Sequence, residues 1–204
     1  FYNYQKVMSN ANFKKNFWIP KILSKTAIVK TKLKAKIKDD ELKNSLILMH
    51  DELQIEASQN RTFNPEYLDQ INPTNINRDL VNQIEIDLKD LNKYYIKGFN
   101  SAGNQKDLQI QNLKKELGKE GLKELKLKYA NTALSDFVTN KKDLKFIIEH
   151  ENKIIQRSDP VFKDPTGLRT HFYSPTKKMF GKYIDTYWFN MLIIWLMSLF
   201  LAIT

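Results

Sequence analysis

His50, His150 and His171, together with the run Glu149, His150 and Glu151, are the residues of this chain best suited by type to hold a metal or move a proton. Their spacing withholds that chemistry. None of the histidines stands in the H-E-x-x-H pattern that sets two imidazoles on one helix face with a general base between them. Glu149, His150 and Glu151 are adjacent, so on a helix they point in different directions and do not converge on one ion. Gly98 and Gly103 have the spacing of the two glycines of a phosphate-binding loop. However, Asn104 and Gln105 stand where Lys and Ser or Thr are required, and the stretch has helical periodicity instead of following a strand. Asp39, Asp40 and Glu41 read as the acidic first turn of a helix, complementing its dipole. The absence of Cys removes disulfide frameworks, thiolate zinc sites and thiol nucleophiles together. The residues argue for no enzyme active site, and neither a cofactor nor a metal is expected within them.

The formal net charge of +10 raises nucleic acid as a partner. Only four of the 33 basic residues are Arg (Arg61, Arg78, Arg157 and Arg169), and the many Lys are accompanied by Asn and Ile, the mixture that AT-rich codon usage produces. Arg makes the bidentate contacts to bases and phosphates, so its scarcity argues for a solvated basic surface, and no nucleic acid is expected.

The elements that position these residues are mainly helical. At 204 residues the length allows one domain, or a small domain with an appendage. Phe1 to Pro20 mixes Phe1, Tyr2, Tyr4, Phe13, Phe17 and Trp18 with scattered Lys. This suits a segment lying along a headgroup layer and equally an aromatic subcore packed on the following helices. Ile22 to Val29 fits a short helix, and Lys30 to Lys38 alternates strictly, which predicts a strand with Lys on one face. Helical spacing returns over 39–57 with Leu42, Leu46, Met49 and Leu53. Residues 59–74 read as a loop, with Thr74 or Asn75 as the next helix cap. Leu80, Ile84, Leu88, Leu91, Tyr95, Phe99, Ala102, Ile110, Leu113 and Leu117 then describe a helix over about 77–117. Gly118 and Gly121 mark a turn. Leu122, Leu125, Tyr129, Ala133, Phe137, Leu144, Ile148 and Ile155 predict a second arm over about 122–156. The expected fold is therefore all-α in the main, a long antiparallel, coiled-coil-like helical hairpin.

The last stretch, Ile184 to Thr204, is of another kind. Sixteen of its 21 residues are apolar or aromatic, and its single charge, Asp185, lies at the start. A helix of that length spans roughly 30 Å, the thickness of a bilayer's hydrocarbon core. The run is apolar around the whole circumference, which predicts a transmembrane helix over 184–204. Tyr183, Tyr187, Trp188, Phe189 and Trp195 are the candidate membrane anchors, since aromatic rings favour the bilayer interface. The preceding segment, 159–183, has three X-Pro steps that disfavour helix, so it reads as an extended, turning juxtamembrane linker. Its Lys177, Lys178 and Lys182 form a juxtamembrane basic group, which by the positive-inside rule places this side in the cytoplasm. The implied division is 1–38 membrane-proximal, interfacial or re-entrant; 39–158 soluble helical insertion; 159–183 linker; 184–204 membrane helix. The opening without Met and the unflanked LAIT ending read as the two cuts of a fragment of a larger polypeptide.

The run LRTHFYSPTKKMFGKYIDTYWFNMLIIWLMSLFLAIT resembles the final juxtamembrane segment and last membrane helix of fused ATP-binding cassette transporters of Bacteroidetes, whose membrane half is similar to type-2 exporter, G-subfamily-like permeases. MSNANFKKNFWIPKILSKTAIV resembles the re-entrant region after the penultimate membrane helix of such permeases, with Trp18 and Ser24 to Val29 as the matching positions and Lys25 and Thr26 departing from the usual pair. The resemblance implies a piece of an export permease in a bacterial inner membrane. It implies an extracytoplasmic helical hairpin that contacts a partner or the transported substrate, and ATP with magnesium bound by a cassette elsewhere in the parent transporter. It also implies the lipid bilayer, other membrane helices and a second copy as partners. A different class fits the same residues: a tail-anchored coiled-coil adaptor held by this one helix.

Overall fold

A computed structural model describes residues 1–165, 170 and 174–203. The protein is mainly α-helical, with a long helix from Arg78 to Tyr129 and an apolar helix at its C-terminal end. Helix α1 (Tyr2–Phe13), a π-turn (Lys14–Trp18) and α2 (Ile19–Ala35) follow one another without interruption and make one rod. Pro20 does not end it. A proline inside a helix removes one amide donor and presses its ring on the carbonyl four residues back. The wider π-turn lies directly before Pro20 and gives that carbonyl room.

The alternating lysines do not form a strand. Residues 30–35 are the end of α2, and 36–38 turn into the next helix. Ile22, Thr26 and Val29, all fully buried, set a spacing of three and four that Leu33 continues, and burying this stripe outweighs the period of two. The lysines fall around the helix, where Lys30 meets Glu85 and Lys32 meets Asp39 and Glu41. Lys36 adopts the left-handed conformation (φ 54°), and the amides of Lys36 and Ile37 return to the carbonyls of Leu33 and Lys32. Asp39 then caps α3 (Asp40–Gln59) by accepting from the Leu42 amide at 3.0 Å, and Asp40 and Glu41 occupy the expected acidic first turn.

The loop to α4 is pinned by the buried side chains of Phe63, Ile71 and Ile76. Helix α4 (Arg78–Tyr129) is capped by Asn77, whose Oδ1 accepts from the Leu80 amide at 2.8 Å, and not by Thr74 or Asn75, whose amides donate to Asn72 Oδ1 in the preceding turn. Leu80, Ile84, Leu88, Leu91, Tyr95 and Ala102 are buried as their spacing requires, whereas Ile110 and Leu117 are exposed.

Helix α4 is paired with the N-terminal rod. Gln109 donates to Tyr4, Gly103 lies by Met8, Lys15 sits over the Phe99 ring at 4.1 Å, and Glu85 holds Thr26 and Lys30. The numbers rise on one helix as they fall on the other, so the pair is antiparallel. The rod from Tyr2 to Ala35 is thus the partner arm, with an aromatic subcore (Phe13, Phe17, Trp18) packed in the bundle. Helix α3 folds back along α2 to complete three helices around a core of Trp18, Ile22, Leu46, Met49, Leu53, Val81, Ile84 and Leu88.

The second arm expected over 122–156 is helical over 122–129 and 132–139 but is not one continuous helix. Gly118 breaks α4 with φ 72° and ψ −179°, a conformation essentially reserved for glycine. The chain then doubles back. The Thr139 carbonyl accepts from Asp159, whose side chain binds Ser9, one residue from the Met8 that faces Gly103. A straight helix would carry Tyr129 roughly 39 Å past Gly103, too far for the ten residues up to Thr139, mostly helical, to recover. Ala130 and Asn131 interrupt the arm, and Asn131 caps α5 (Thr132–Thr139), which Asn140 ends in the left-handed conformation. Beyond it the β-branched pairs Ile147, Ile148 and Ile154, Ile155 form an antiparallel hairpin of β1 (Ile147–His150) and β2 (Lys153–Gln156), turned at Glu151 and Asn152, both at positive φ.

Within the linker, Pro160–Phe162 form a 3₁₀ turn, and β3 (Thr176–Met179) pairs antiparallel with β4 (Lys182–Asp185). Helix α6 (Thr186–Ile203) follows without a spacer. Arg169, His171, Phe172 and Tyr173 of the linker, and Thr204, lie outside the described residues.

Candidate functional site

Two places concentrate side chains whose chemistry exceeds packing. One is the junction of the β3–β4 hairpin with α6. The other is a buried polar cluster at the π-turn.

Helix α6 has 18 residues with a mean hydropathy of 1.8 and no buried share, so it is long and apolar enough to cross a membrane. At its start the Thr186 amide donates to the Pro175 carbonyl at 2.9 Å, and Thr186 Oγ1 donates to the Ser174 carbonyl at 2.6 Å. The helix is thereby tied to the base of the hairpin. Asp185 Oδ1 accepts from the Tyr187 amide at 2.8 Å, a charged acceptor at the positive end of the helix dipole. The rings of Tyr187 and Trp188 meet edge to face at 5.3 Å. Lys177 Nζ stands 4.6 Å from the centre of the Phe189 ring, and Lys178 Nζ 5.9 Å from that of Tyr183. The fold therefore gathers Tyr183, Tyr187, Trp188 and Phe189 with Lys177 and Lys178 at one end of α6, and sets exposed Lys182 at the start of β4. Trp195 stands apart. It lies roughly 13 Å along the helix from Thr186, midway between the ends, and not at either boundary of a span.

The second cluster was not legible as a site in the sequence. Lys14 and Trp18 enter the core from the two ends of the π-turn, and Glu52 and Glu56 face them from α3. Glu52 accepts from Trp18 Nε1 and from the Ile154 amide of β2, each at 2.5 Å, so it joins the rod to the hairpin through α3. Glu56, whose side chain is 1% exposed, accepts from Tyr95 Oη at 2.5 Å and from Asn60 Nδ2 at 3.2 Å. Its Oε2 faces Lys14 Nζ at 2.6 Å, off the hydrogen-bond direction, so Lys14 acts there as an ionic contact; the same ammonium lies 4.0 Å from the centre of the Trp18 ring. Burial, and then the Glu56 carboxylate, push the Tyr95 hydroxyl well above its ordinary range, which keeps it a donor. The available signal was position. Glu52 and Glu56 continue the spacing of Leu42, Ser45 and Met49, so the carboxylates occupy places on the apolar stripe of α3.

These groups pair with one another inside the core, where Glu56 Oε2 keeps only the ionic contact with Lys14, and none of them faces solvent. His50 pairs with the neighbouring Asp51 at 2.9 Å, and His150 is exposed 3.6 Å from Glu151. Gly98 and Gly103 are both inside α4. Among the described residues no three His, Asp or Glu side chains are placed to hold a metal ion. Glu149 serves packing: burial raises its carboxyl, but hydrogen bonds from Lys25 and Lys21, both at 2.9 Å, outweigh that and hold it below its ordinary range.

No protein-family model matches the chain, and no curated protein and no solved structure matches it either.

Proposed function

We propose that this chain is a membrane-anchored, non-catalytic helical module belonging to the membrane domain of an export-type ATP-binding cassette transporter in a bacterial inner membrane. The single observation that carries the anchoring is α6, long and apolar enough to cross a membrane and with no buried residue, with an aromatic and basic collar at its start. The transporter assignment rests on the resemblance of the juxtamembrane run and last helix to exporter permeases. The three-helix bundle, whose buried polar groups largely pair with one another, is suited to contact a partner or the transported substrate. Energy would come from a cassette on other sequence, where ATP and magnesium would bind.

Two signals point to opposite sides of the membrane: Lys177, Lys178 and Lys182 favour the cytoplasm, and the resemblance implies an extracytoplasmic bundle, which is the side proposed. With no native Cys, Ser101→Cys gives a single thiol on the exposed face of α4. Labelling of intact cells by a membrane-impermeant maleimide supports the extracytoplasmic side, and labelling only after lysis overturns it. For the transporter assignment, the endogenous protein is purified from detergent-solubilised membranes. A nucleotide-binding cassette in the same polypeptide or complex is expected. Recovery without one favours the tail-anchored adaptor instead.

A further inference from the structure

The tip of the β3–β4 hairpin is a two-residue turn, Phe180 and Gly181, at φ +49° and +77°. Positive φ at both positions is the twist-matched hairpin turn, which favours Asn or Asp followed by Gly. A bulky aromatic at the first position is an outlier for that backbone. The other hairpin of the chain fills its two positive-φ turn positions with polar residues, Glu151 and Asn152. Phe180 is also 93% exposed, the most exposed of the large apolar side chains among the described residues. The fold thus holds an aromatic ring in an unfavourable conformation and presents it outward.

What surrounds the ring indicates its partner. Lys177, Lys178 and Lys182 flank the tip, against the single acid Asp185 at the base. The base is fastened to the first residue of α6 through Pro175 and Ser174, and Lys177 reaches the ring of Phe189 in the first turn. A four-residue strand is roughly 13 Å long, so the tip cannot move farther than that from where α6 starts. The headgroup layer on each side of a bilayer is about 5–8 Å deep, within reach of the hairpin and its long side chains.

We propose that the β3–β4 hairpin is an interfacial foot: it lies in the headgroup layer, with Phe180 seated at the acyl boundary and Lys177, Lys178 and Lys182 on anionic lipid phosphates. The occupant is the lipid surface itself. Its negative charge complements the tip, and it is continuous with the medium in which α6 is proposed to sit. This rests on the reading of α6 as membrane-spanning and adds a second contact, which fixes the tilt and rotation of that helix. An exposed aromatic at a basic tip is the composition that interfacial elements use. The unfavourable turn residue then has a reason, since Asn at that place would fold more easily and hold no lipid.

The test uses the full chain in vesicles with and without phosphatidylserine. Phe180→Cys, Ile193→Cys in α6 and Ser101→Cys in the bundle each carry one environment-sensitive nitrobenzoxadiazole label, with no native thiol to compete. In anionic vesicles, aqueous iodide is expected to quench the label at 180 about threefold less than that at 101. Headgroup-placed spin-labelled lipid is expected to quench it more, and removing the anionic lipid to reduce the protection. If 180 is as open to iodide as 101 while 193 is protected, the foot is refuted and the membrane helix stands. If 193 is open as well, both readings fall. Amide exchange over Met179–Lys182 checks the result without a label: Phe180→Asn keeps the turn chemistry and should lose most of the lipid-dependent protection. Equal protection in Phe180→Asn and the unsubstituted chain overturns the seat for Phe180.

Discussion

Consider removing the positive charge from the buried cluster by Lys14→Met. The stem of the side chain is replaced by apolar atoms of similar length, so packing against Trp18 is largely kept. Glu56, with its side chain 1% exposed, keeps Tyr95 and Asn60 as donors and loses its cation. Breaking a buried pair from one side costs about 3–5 kcal/mol, because the remaining charge is stranded away from water. The reciprocal Glu56→Gln strands Lys14, whose side chain is 9% exposed, but leaves it the Trp18 ring at 4.0 Å, so a smaller loss of about 2–3 kcal/mol is expected. The double variant leaves no stranded charge and should be less destabilised than the sum by at least about 2 kcal/mol. Against a typical total of roughly 5–15 kcal/mol, such effects are easily read. Urea unfolding of the full chain in mild detergent, followed by far-ultraviolet circular dichroism, measures all four corners of the cycle. If the two single losses add to within about 0.5 kcal/mol, the ammonium and carboxylate do not depend on each other, and the cluster is not a coupled network.

Three further outcomes follow from the same geometry. Gly118→Ala forces a Cβ into a backbone at φ 72° and ψ −179° and should cost about 1–3 kcal/mol, read as faster amide exchange over 119–139 with 78–102 unchanged; unchanged exchange would contradict the turn. The hydrogen bond from Lys30, opposed in part by burial, holds the Glu85 carboxyl below its ordinary 4.5, so the stability it contributes is complete above that value and is lost as pH falls through the lowered one. Glu85→Gln should therefore flatten the acid limb of the stability–pH curve below about pH 4.5, and an unaltered limb would remove Glu85 from the account. Leu196→Arg puts a charge near the middle of α6, at about 3 kcal/mol on insertion scales, and should shift the chain into the carbonate-extractable fraction; full retention would mean that α6 does not span.

Much of this architecture was legible because its signals are long. The first 25 residues of α4 bury the spacing of three and four at nearly every expected position, and the run from Thr186 to Ile203 carries no charged residue. The errors have physical causes that a local pattern does not contain. A strict alternation of Lys from 30 to 38 predicts a strand only if the residues between them need one face, whereas the stripe from Ile22 through Val29 had already fixed a helical phase. Pro20 lies inside a continuous rod because the preceding turn widens, and nothing in KKNFW announces a π-turn. Tyr183, Tyr187, Trp188 and Phe189 lie together at one end of α6, and the helical rise sets Trp195 near its middle.

The choice of partner for α4 is the most informative of these failures. Residues 122–156 offered apolar spacing comparable to that of 77–117, yet the arm that pairs with α4 is residues 2–35. Spacing alone cannot distinguish the two, because both present apolar stripes. What separates them is what each stripe must bury. Between residues 122 and 156 the chain would have to carry Asn131, Asn140 and the β-branched pairs at 147–148 and 154–155 through a continuous helix, each at a cost in cap competition or side-chain entropy. The N-terminal rod carries β-branched residues as well, but its Ile22, Thr26 and Val29 are fully buried, and the π-turn before Pro20 lets Lys14 and Trp18 face Glu56 and Glu52. The unusual turn and the buried charges are one solution: the polar cluster holds the rod, α3 and β2 in a single register, which three greasy stripes of Leu and Ile would leave free to slide.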